Sequence, residues 1–140
     1  MTDDIRKNRE TFKQLYDSIK ATDQAADLVA LESAFDRVVQ LMLQQAKVGG
    51  KLIFIGNGGS AAIASHMATD FVKNARIRAM AFNDGPLLTC LSNDFGYAHV
   101  FEKAVEMYGE AGDVLVAISS SGQSENILRA AMAAQKKAMR

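Results

Sequence analysis

The feature that most constrains this chain occurs twice: a short unbroken apolar run, then a glycine- and serine-rich turn, then an amphipathic stretch. Lys51-Leu52-Ile53-Phe54-Ile55-Gly56 leads into Asn57-Gly58-Gly59-Ser60, and Asp113-Val114-Leu115-Val116-Ala117-Ile118 leads into Ser119-Ser120-Ser121-Gly122-Gln123-Ser124. Continuous apolar, β-branched runs of this length predict strands buried on both faces. Arg78 to Phe82 reads as a further strand. Helices are expected from about Ser60 to Lys73, with Ala62, Ile63, Met67 and Phe71 as the inner face, and from Glu125 to Arg140. Asn83-Asp84-Gly85-Pro86 is turn chemistry opening a short helix from Pro86 to about Ser92. Asn93-Asp94-Phe95-Gly96 then reads as a loop, followed by a helix from Tyr97 to Tyr108. Strands alternating with helices predict an α/β domain, a parallel sheet with helices on both faces.

Ahead of this pattern, Ile5, Phe12, Leu15, Tyr16 and Ile19 recur at helical spacing, with Thr2 placed to cap. A longer helix spans about Asp23 to Val48 and stops at Gly49-Gly50. The chain is therefore expected to divide into an N-terminal helical hairpin, residues 1–50, whose helices could pack on each other or, for oligomerisation, on another subunit, and an α/β domain, residues 51–140. Three strands make a thin sheet, and a domain of this type would continue from its last helix into another strand. The domain reads as truncated, or as completed by a partner.

Sixteen basic residues balance sixteen acidic ones, and a formal net charge of +0 provides no field to attract nucleic acid or an anionic membrane. An anionic ligand has to be held locally. Cys90 is the only cysteine, which excludes an internal disulfide and a thiolate metal cluster and fits a reducing, cytoplasmic setting. Its neighbours Leu87, Leu88 and Leu91 suggest a small buried hydrophobe. No apolar run approaches the ~18 residues of a membrane span, and no signal peptide is visible.

The two turns lie at the carboxyl edge of the sheet, where ligands of open parallel sheets collect. Each enters a helix whose first N–H groups lack acceptors and favour an anion. Gly58, Gly59 and Gly122 permit close backbone approach, and Ser60, Ser119, Ser121 and Ser124 can donate hydroxyls to phosphate oxygens. Neither turn ends in the Lys-Ser/Thr of a nucleoside-triphosphate loop. Gly56-Asn57-Gly58-Gly59-Ser60-Ala61 also fits a loose dinucleotide fingerprint, for which Asn83-Asp84 would be an imperfect ribose-binding acid.

Taken together, Gly56-Asn57-Gly58-Gly59-Ser60, Asn93-Asp94-Phe95-Gly96 and Ile118-Ser119-Ser120-Ser121-Gly122-Gln123-Ser124-Glu125-Asn126 resemble the sugar isomerase (SIS) domain, and within it the phosphoheptose (sedoheptulose-7-phosphate) isomerase family. The resemblance implies a flavodoxin-like three-layer α/β sandwich. It also implies a homotetramer with the N-terminal helices in a central bundle, and sites at subunit interfaces. The implied activity is cofactor-free or zinc-assisted isomerisation of sedoheptulose 7-phosphate to D-glycero-D-manno-heptose 7-phosphate, in heptose biosynthesis for lipopolysaccharide or capsule. Carried over residue by residue, Ser119, Ser121 and Ser124 would hold the phosphate, with Ser120 contributing its backbone. Asn57, Gly58, Gly59 and Ser60 would line the sugar, and Asn93 and Asp94 would contact its hydroxyls. His66 corresponds to a zinc ligand, and Asp70 stands where the family has a glutamate that is both metal ligand and catalytic base. That substitution shortens the reach by one methylene. The family's second catalytic group, a histidine, and a glutamine ligand lie on a C-terminal helix outside these 140 residues. A non-catalytic sugar-phosphate-binding or DiaA-like regulatory protein of the same domain type is the alternative implied. His66 and Asp70, spaced i, i+4, share one face of their helix. His99, at the start of a helix, is expected to cap or to face solvent.

Overall fold

Leu52, Ile53, Phe54 and Ile55 are at most 2% exposed, because the strand they form, the third in the chain, has a neighbour on each side and helices on both faces. The computed structural model describes residues 2–140, with side chains from Asp4 onward. The capping role expected of Thr2 lies outside the described side chains. The chain divides into two compact units, one ending at Leu41 and a second spanning Met42–Arg140.

The first unit contains helix α1, Thr2–Asp17, and the short strands β1, Ala21–Thr22, and β2, Leu28–Val29. The strands pair antiparallel, Ala21 opposite Val29 and Thr22 opposite Leu28. Helix α2, Leu31–Lys47, then runs into the second unit. The helix expected from Asp23 therefore begins at Leu31, and a β-ribbon replaces its first two turns. Asp23 is the reason: its Oδ1 accepts from the Ala25 and Asp27 amides at 2.9 and 3.1 Å, while Ala26 takes φ 67°. A carboxylate that satisfies backbone donors locally competes with the helix. The boundary between the two units falls inside α2. Several large apolar residues of both helices are exposed, including Phe12, Tyr16, Phe35 and Val39, while Leu31, Leu41 and Met42 of α2 are half-buried.

The second unit carries a parallel sheet in the order β4-β3-β5: β3 is Leu52–Gly56, β4 Ala79–Ala81 and β5 Val114–Ile118. Leu52 to Gly56 lie opposite Val114 to Ile118 in unbroken register. Helix α3, Gly59–Lys73, covers one face. Its buried residues are Ala64 and Ala68, and Phe71 stacks on Phe54 at 5.5 Å between centroids. Ile63, expected on this inner face, is 53% exposed; small residues at the contact bring the helix axis close to the sheet, and the larger side chain is turned out.

The other face packs Ile53 and Ile55 with Phe82, Leu91, Phe101, Val105, Ile127 and Ala130. These come from β3, α4 (Gly85–Phe95), α5 (Val100–Tyr108), α6 (Glu125–Lys136) and the residue after β4. Helix α4 is capped by Asp84, whose side chain accepts from the Leu87 amide, and has Pro86 in its first turn. It continues through Asn93 and Asp94, so the expected loop is the last helical turn. Tyr97–His99 form a single 3₁₀ turn before α5. Cys90 lies on the outside of α4 and is exposed, its thiol 3.7 Å from the Asp94 carboxylate, so the buried reading of Cys90 is corrected.

Helix α6 stops at Lys136 because Ala138 adopts φ 55° and Met139 turns into the core. Arg140 then reaches the outer edge of β5, donating to Asp113 O and accepting from Leu115 N–H, both at 2.7 Å. Beyond that contact β5 pairs with no strand on its outer side among the described residues, and Leu115, Val116 and Ile118 are only half-buried. At this same amino end of the strands, Asp113 is 1% exposed and accepts from the Lys51 amide, the Lys51 ammonium and the Glu110 amide at 2.8, 2.6 and 2.8 Å. Burial alone would raise its pKa, but these hydrogen bonds and the Lys51 charge outweigh it and hold the carboxyl below its ordinary value. This cluster ties the start of β3 to the start of β5 and so supports the register that aligns Gly56 with Ile118. Among the described residues no helix is long and apolar enough to cross a membrane.

Candidate functional site

The chain leaves β3 for β4 on one side, then crosses to β5 on the other. The junction between β3 and β5 is therefore a topological switch point, where the connections diverge and open a crevice at the carboxyl ends of the strands. Both glycine and serine turns stand at that crevice, side by side because Gly56 pairs with Ile118.

In the first turn the chain doubles back so tightly that a Cβ on Gly56 would lie 2.7 Å from the carbonyl carbon and oxygen of Ser60. Ser60 N–H donates to Asn57 O and Ala61 N–H to Gly58 O, each at 3.0 Å. The N–H groups of Gly58 and Gly59, at the head of α3, have no acceptor within the helix and face the region where an anion is favoured.

The second turn is braced by its own hydroxyls. Ser119 Oγ accepts from the Gly122 amide at 3.2 Å and lies 3.4 Å from Ser124 Oγ, and Ser121 Oγ accepts from the Gln123 amide at 3.1 Å. Ser120 and Ser121 are exposed and Ser124 is half-buried at the head of α6.

A reciprocal amide pair joins the two turns. Asn57 Nδ2 donates to Asn126 Oδ1 at 3.0 Å and Asn126 Nδ2 donates to Asn57 Oδ1 at 2.9 Å. The Tyr97 hydroxyl donates to the same Asn57 oxygen at 3.0 Å. Asn126 is 4% exposed. The Asn57 oxygen, expected to face a sugar, thus already accepts two hydrogen bonds. Asn126 belonged to the second motif without an assigned role, and Tyr97 was read only as the start of a helix. The available signals were a polar amide in the first turn of a helix leaving the sheet edge, and an aromatic hydroxyl directly after Gly96.

Asn93 and Asp94 lie exposed on the last turn of α4, bonded to each other at 2.9 Å. Asn93 and Tyr97 help line a shallow cavity of about 360 Å³ with Leu88, Thr89 and Ser92, which places the middle motif beside the first turn. A larger hollow of about 430 Å³ between α3 and β4 contains no residue of either turn.

His66 and Asp70 come together further along α3, Nε2 to Oδ2 3.4 Å, and Asn74 donates to the other Asp70 oxygen at 3.2 Å. Their side chains are 75% and 38% exposed. Two donors fall short of the three protein ligands usual in a catalytic zinc site. Among the described residues no cluster of three or more His, Cys, Asp or Glu converges, so these residues do not by themselves build a zinc centre. His99 neither caps a helix through its side chain nor stands free. It pairs with Glu102, whose carboxyl is held below its usual range by that hydrogen bond against the opposing effect of burial.

The dinucleotide reading loses its acid. Asp84 is occupied as the cap of α4, and the Asn83 amide donates to Ala61 O and Ser65 Oγ at 2.8 and 2.9 Å. A parallel sheet with two serine- and glycine-lined turns at its switch point is the layout of an open α/β domain with its ligand crevice at the carboxyl ends of the strands. The SIS domain matches residues 14–140, and the chain belongs to that family. It is similar to the phosphoheptose isomerases of Nitratidesulfovibrio vulgaris, 45% identical over 73% of this chain and 53% of that protein. The Yersinia pestis phosphoheptose isomerase is 40% identical over 86% of this chain and 67% of the relative. Among solved structures, a phosphoheptose isomerase from Francisella tularensis superimposes with TM-score 0.84 at 30% identity, covering 99% of this chain and 70% of that one. The enzyme from Neisseria gonorrhoeae gives TM-score 0.70 at 44% identity over 74% and 56%. The chain spans just over half the length of the Nitratidesulfovibrio relative.

Proposed function

We propose that this chain forms the phosphate- and sugar-binding part of a phosphoheptose isomerase that converts sedoheptulose 7-phosphate to D-glycero-D-manno-heptose 7-phosphate in the cytoplasm, for lipopolysaccharide or capsule. The observation that carries this reading is the amide pair between Asn57 and Asn126, which makes one cradle of two anion-favouring turns. In it, Ser119, Ser121, Ser124 and the head of α6 hold the phosphate. Gly58, Gly59 and Ser60 face the sugar, with Asn93 and Asp94 on its hydroxyls. A base removes the C1 proton of the ketose, an enediol forms, and a proton returns at C2 while a hydroxyl proton moves from O1 to O2. Asp70 is the base in this scheme and His66 its neighbour. Zinc would need donors beyond this pair.

General-base catalysis contributes about 10² to 10⁴-fold, so Asp70→Ala should lower turnover of sedoheptulose 7-phosphate by that much with phosphate binding retained. Unchanged turnover would remove Asp70 from the mechanism. A second reading, a sugar-phosphate-binding regulator, is favoured by the exposure of His66 and Asp70 and the absence of a third acid or base beside them among the described residues. It predicts binding with no turnover in the unaltered protein. The exposed apolar stripes of α1 and α2 support self-association, with a homotetramer as the proposed assembly.

A further inference from the structure

We propose that Tyr97 and Asn126 are positioning residues that act on the ligand through Asn57, fixing the first turn against the second. The inference rests on the isomerase reading for its substrate but on the geometry of the two turns for its logic. Asn57 follows directly on β3, and its backbone carbonyl accepts from Ser60 N–H. Any rotation of this residue therefore moves the peptide groups of Gly58 and Gly59, which line the sugar in the function proposed above. Its side chain is held at three points: both ends of its amide on Asn126, and its oxygen also on Tyr97. The oxygen thereby uses both lone pairs and one amide hydrogen remains, so Asn57 contributes to a ligand chiefly through the turn it steers.

The placement of Tyr97 depends on a glycine. Gly96, immediately before it, takes φ 83° and ψ 152°, a region that residues with a Cβ essentially never occupy. No atom lies within 4 Å of the Cβ that Gly96 lacks, so the glycine serves the backbone path and not a close contact. That path swings a half-exposed tyrosine from the end of α4 to the mouth of the crevice. The ring is 55% exposed, and hydrophobic burial does not account for the position; the hydroxyl bond to Asn57 does. Asn126 is the buried counterpart. An amide at this depth is tolerated because Asn57 satisfies it on both sides.

The test is a double-mutant cycle between Tyr97→Phe and Asn57→Ala, on the whole protein. It is read by kcat and KM for sedoheptulose 7-phosphate and by calorimetric affinity for inorganic phosphate, with thermal melting as control. Tyr97→Phe keeps the ring and removes one hydrogen bond, and is expected to lower kcat/KM about 3- to 10-fold, mostly in kcat, with little change in melting. In the Asn57→Ala background the same change should do nothing, since residues acting through a shared partner are not additive. Asn126→Ala should behave similarly, and if it unfolds, the Tyr97 cycle still decides. Effects of Tyr97→Phe and Asn57→Ala that multiply would overturn the proposal, as would a Tyr97→Phe enzyme with wild-type constants. If the unaltered protein binds phosphate without isomerising the sugar, the isomerase reading fails and the cycle is read in phosphate affinity instead. A protein that neither turns over nor binds phosphate overturns both.

Discussion

Replacing Asp113 by Asn should be among the most destabilising isosteric changes available in this chain. The carboxylate is the common acceptor for three donors, two of them backbone amides and the third the Lys51 ammonium at 2.6 Å. Asparagine retains one acceptor oxygen. Its amide end would point at the donors that remain, leaving at least one N–H unpaired and the Lys51 ammonium without its buried partner. Removing one partner of a buried pair costs about 3–5 kcal/mol. Lys51 is 16% exposed and has the solvent-facing Glu110 carboxylate within 3.6 Å, which softens the loss to about 2–4 kcal/mol. For a unit of this size that corresponds to a fall in Tm of about 10–20 °C.

Urea unfolding followed by far-UV circular dichroism at neutral pH gives the number directly. The pH profile supplies a second check. The folded-state pKa of Asp113 lies below its ordinary value of 3.8, so its stabilisation is fully present above pH 3.8. It is lost as the pH falls from there through the lower folded value. The wild type should therefore lose stability over that acid window, and Asp113→Asn should lack this component. A loss under about 0.5 kcal/mol, the range of ordinary surface substitutions, would refute the account of this cluster as a clasp on the β3–β5 register.

Two further outcomes follow from positions described above. Gly56→Ala places a Cβ against the backbone of Ser60, which cannot move without opening the first turn. It should cost at least 1–3 kcal/mol and weaken phosphate binding, and wild-type phosphate affinity by calorimetry would contradict that. Phe35→Glu on the exposed stripe of α2 should shift the protein to a smaller oligomer in light scattering after gel filtration, whereas an unchanged mass would show that this face does not mediate assembly.

The central strand was legible because Leu52 to Ile55 are buried from both faces, so no periodicity competes with the plain apolar run. The same signature at Val114 to Ile118 was legible as a strand, but its half-burial was not, since that depends on what flanks its outer edge. The start of α2 was obscured by Asp23, whose carboxylate organises a turn that helical spacing does not register. The helical character of Asn93 and Asp94 was hidden by their turn-forming residue types; the chain in fact carries α4 on to Phe95 and breaks it at Gly96. In the site, the two turns announce themselves through local glycine and serine chemistry. The Asn57–Asn126 pair spans 69 residues of sequence, and only the adjacency of β3 and β5 brings it together. The His66–Asp70 pair was legible from its spacing alone, as any i, i+4 pair on a helix is.

The serine turn carries a consequence for how strongly any anion can be held. Its donors are not idle: the amides of Gly122 and Gln123 are bound by the hydroxyls of Ser119 and Ser121. An incoming phosphate that takes these amides must displace the hydroxyls, which can then rotate to donate to it. Binding is thus an exchange of partners, and only the difference between neutral and charge-assisted hydrogen bonds appears as affinity. Since the bonds being given up are 3.1 and 3.2 Å long, they resist displacement weakly. The loop thus holds its shape through its own hydroxyls, and the hydrogen bonds it would exchange for an anion are long ones.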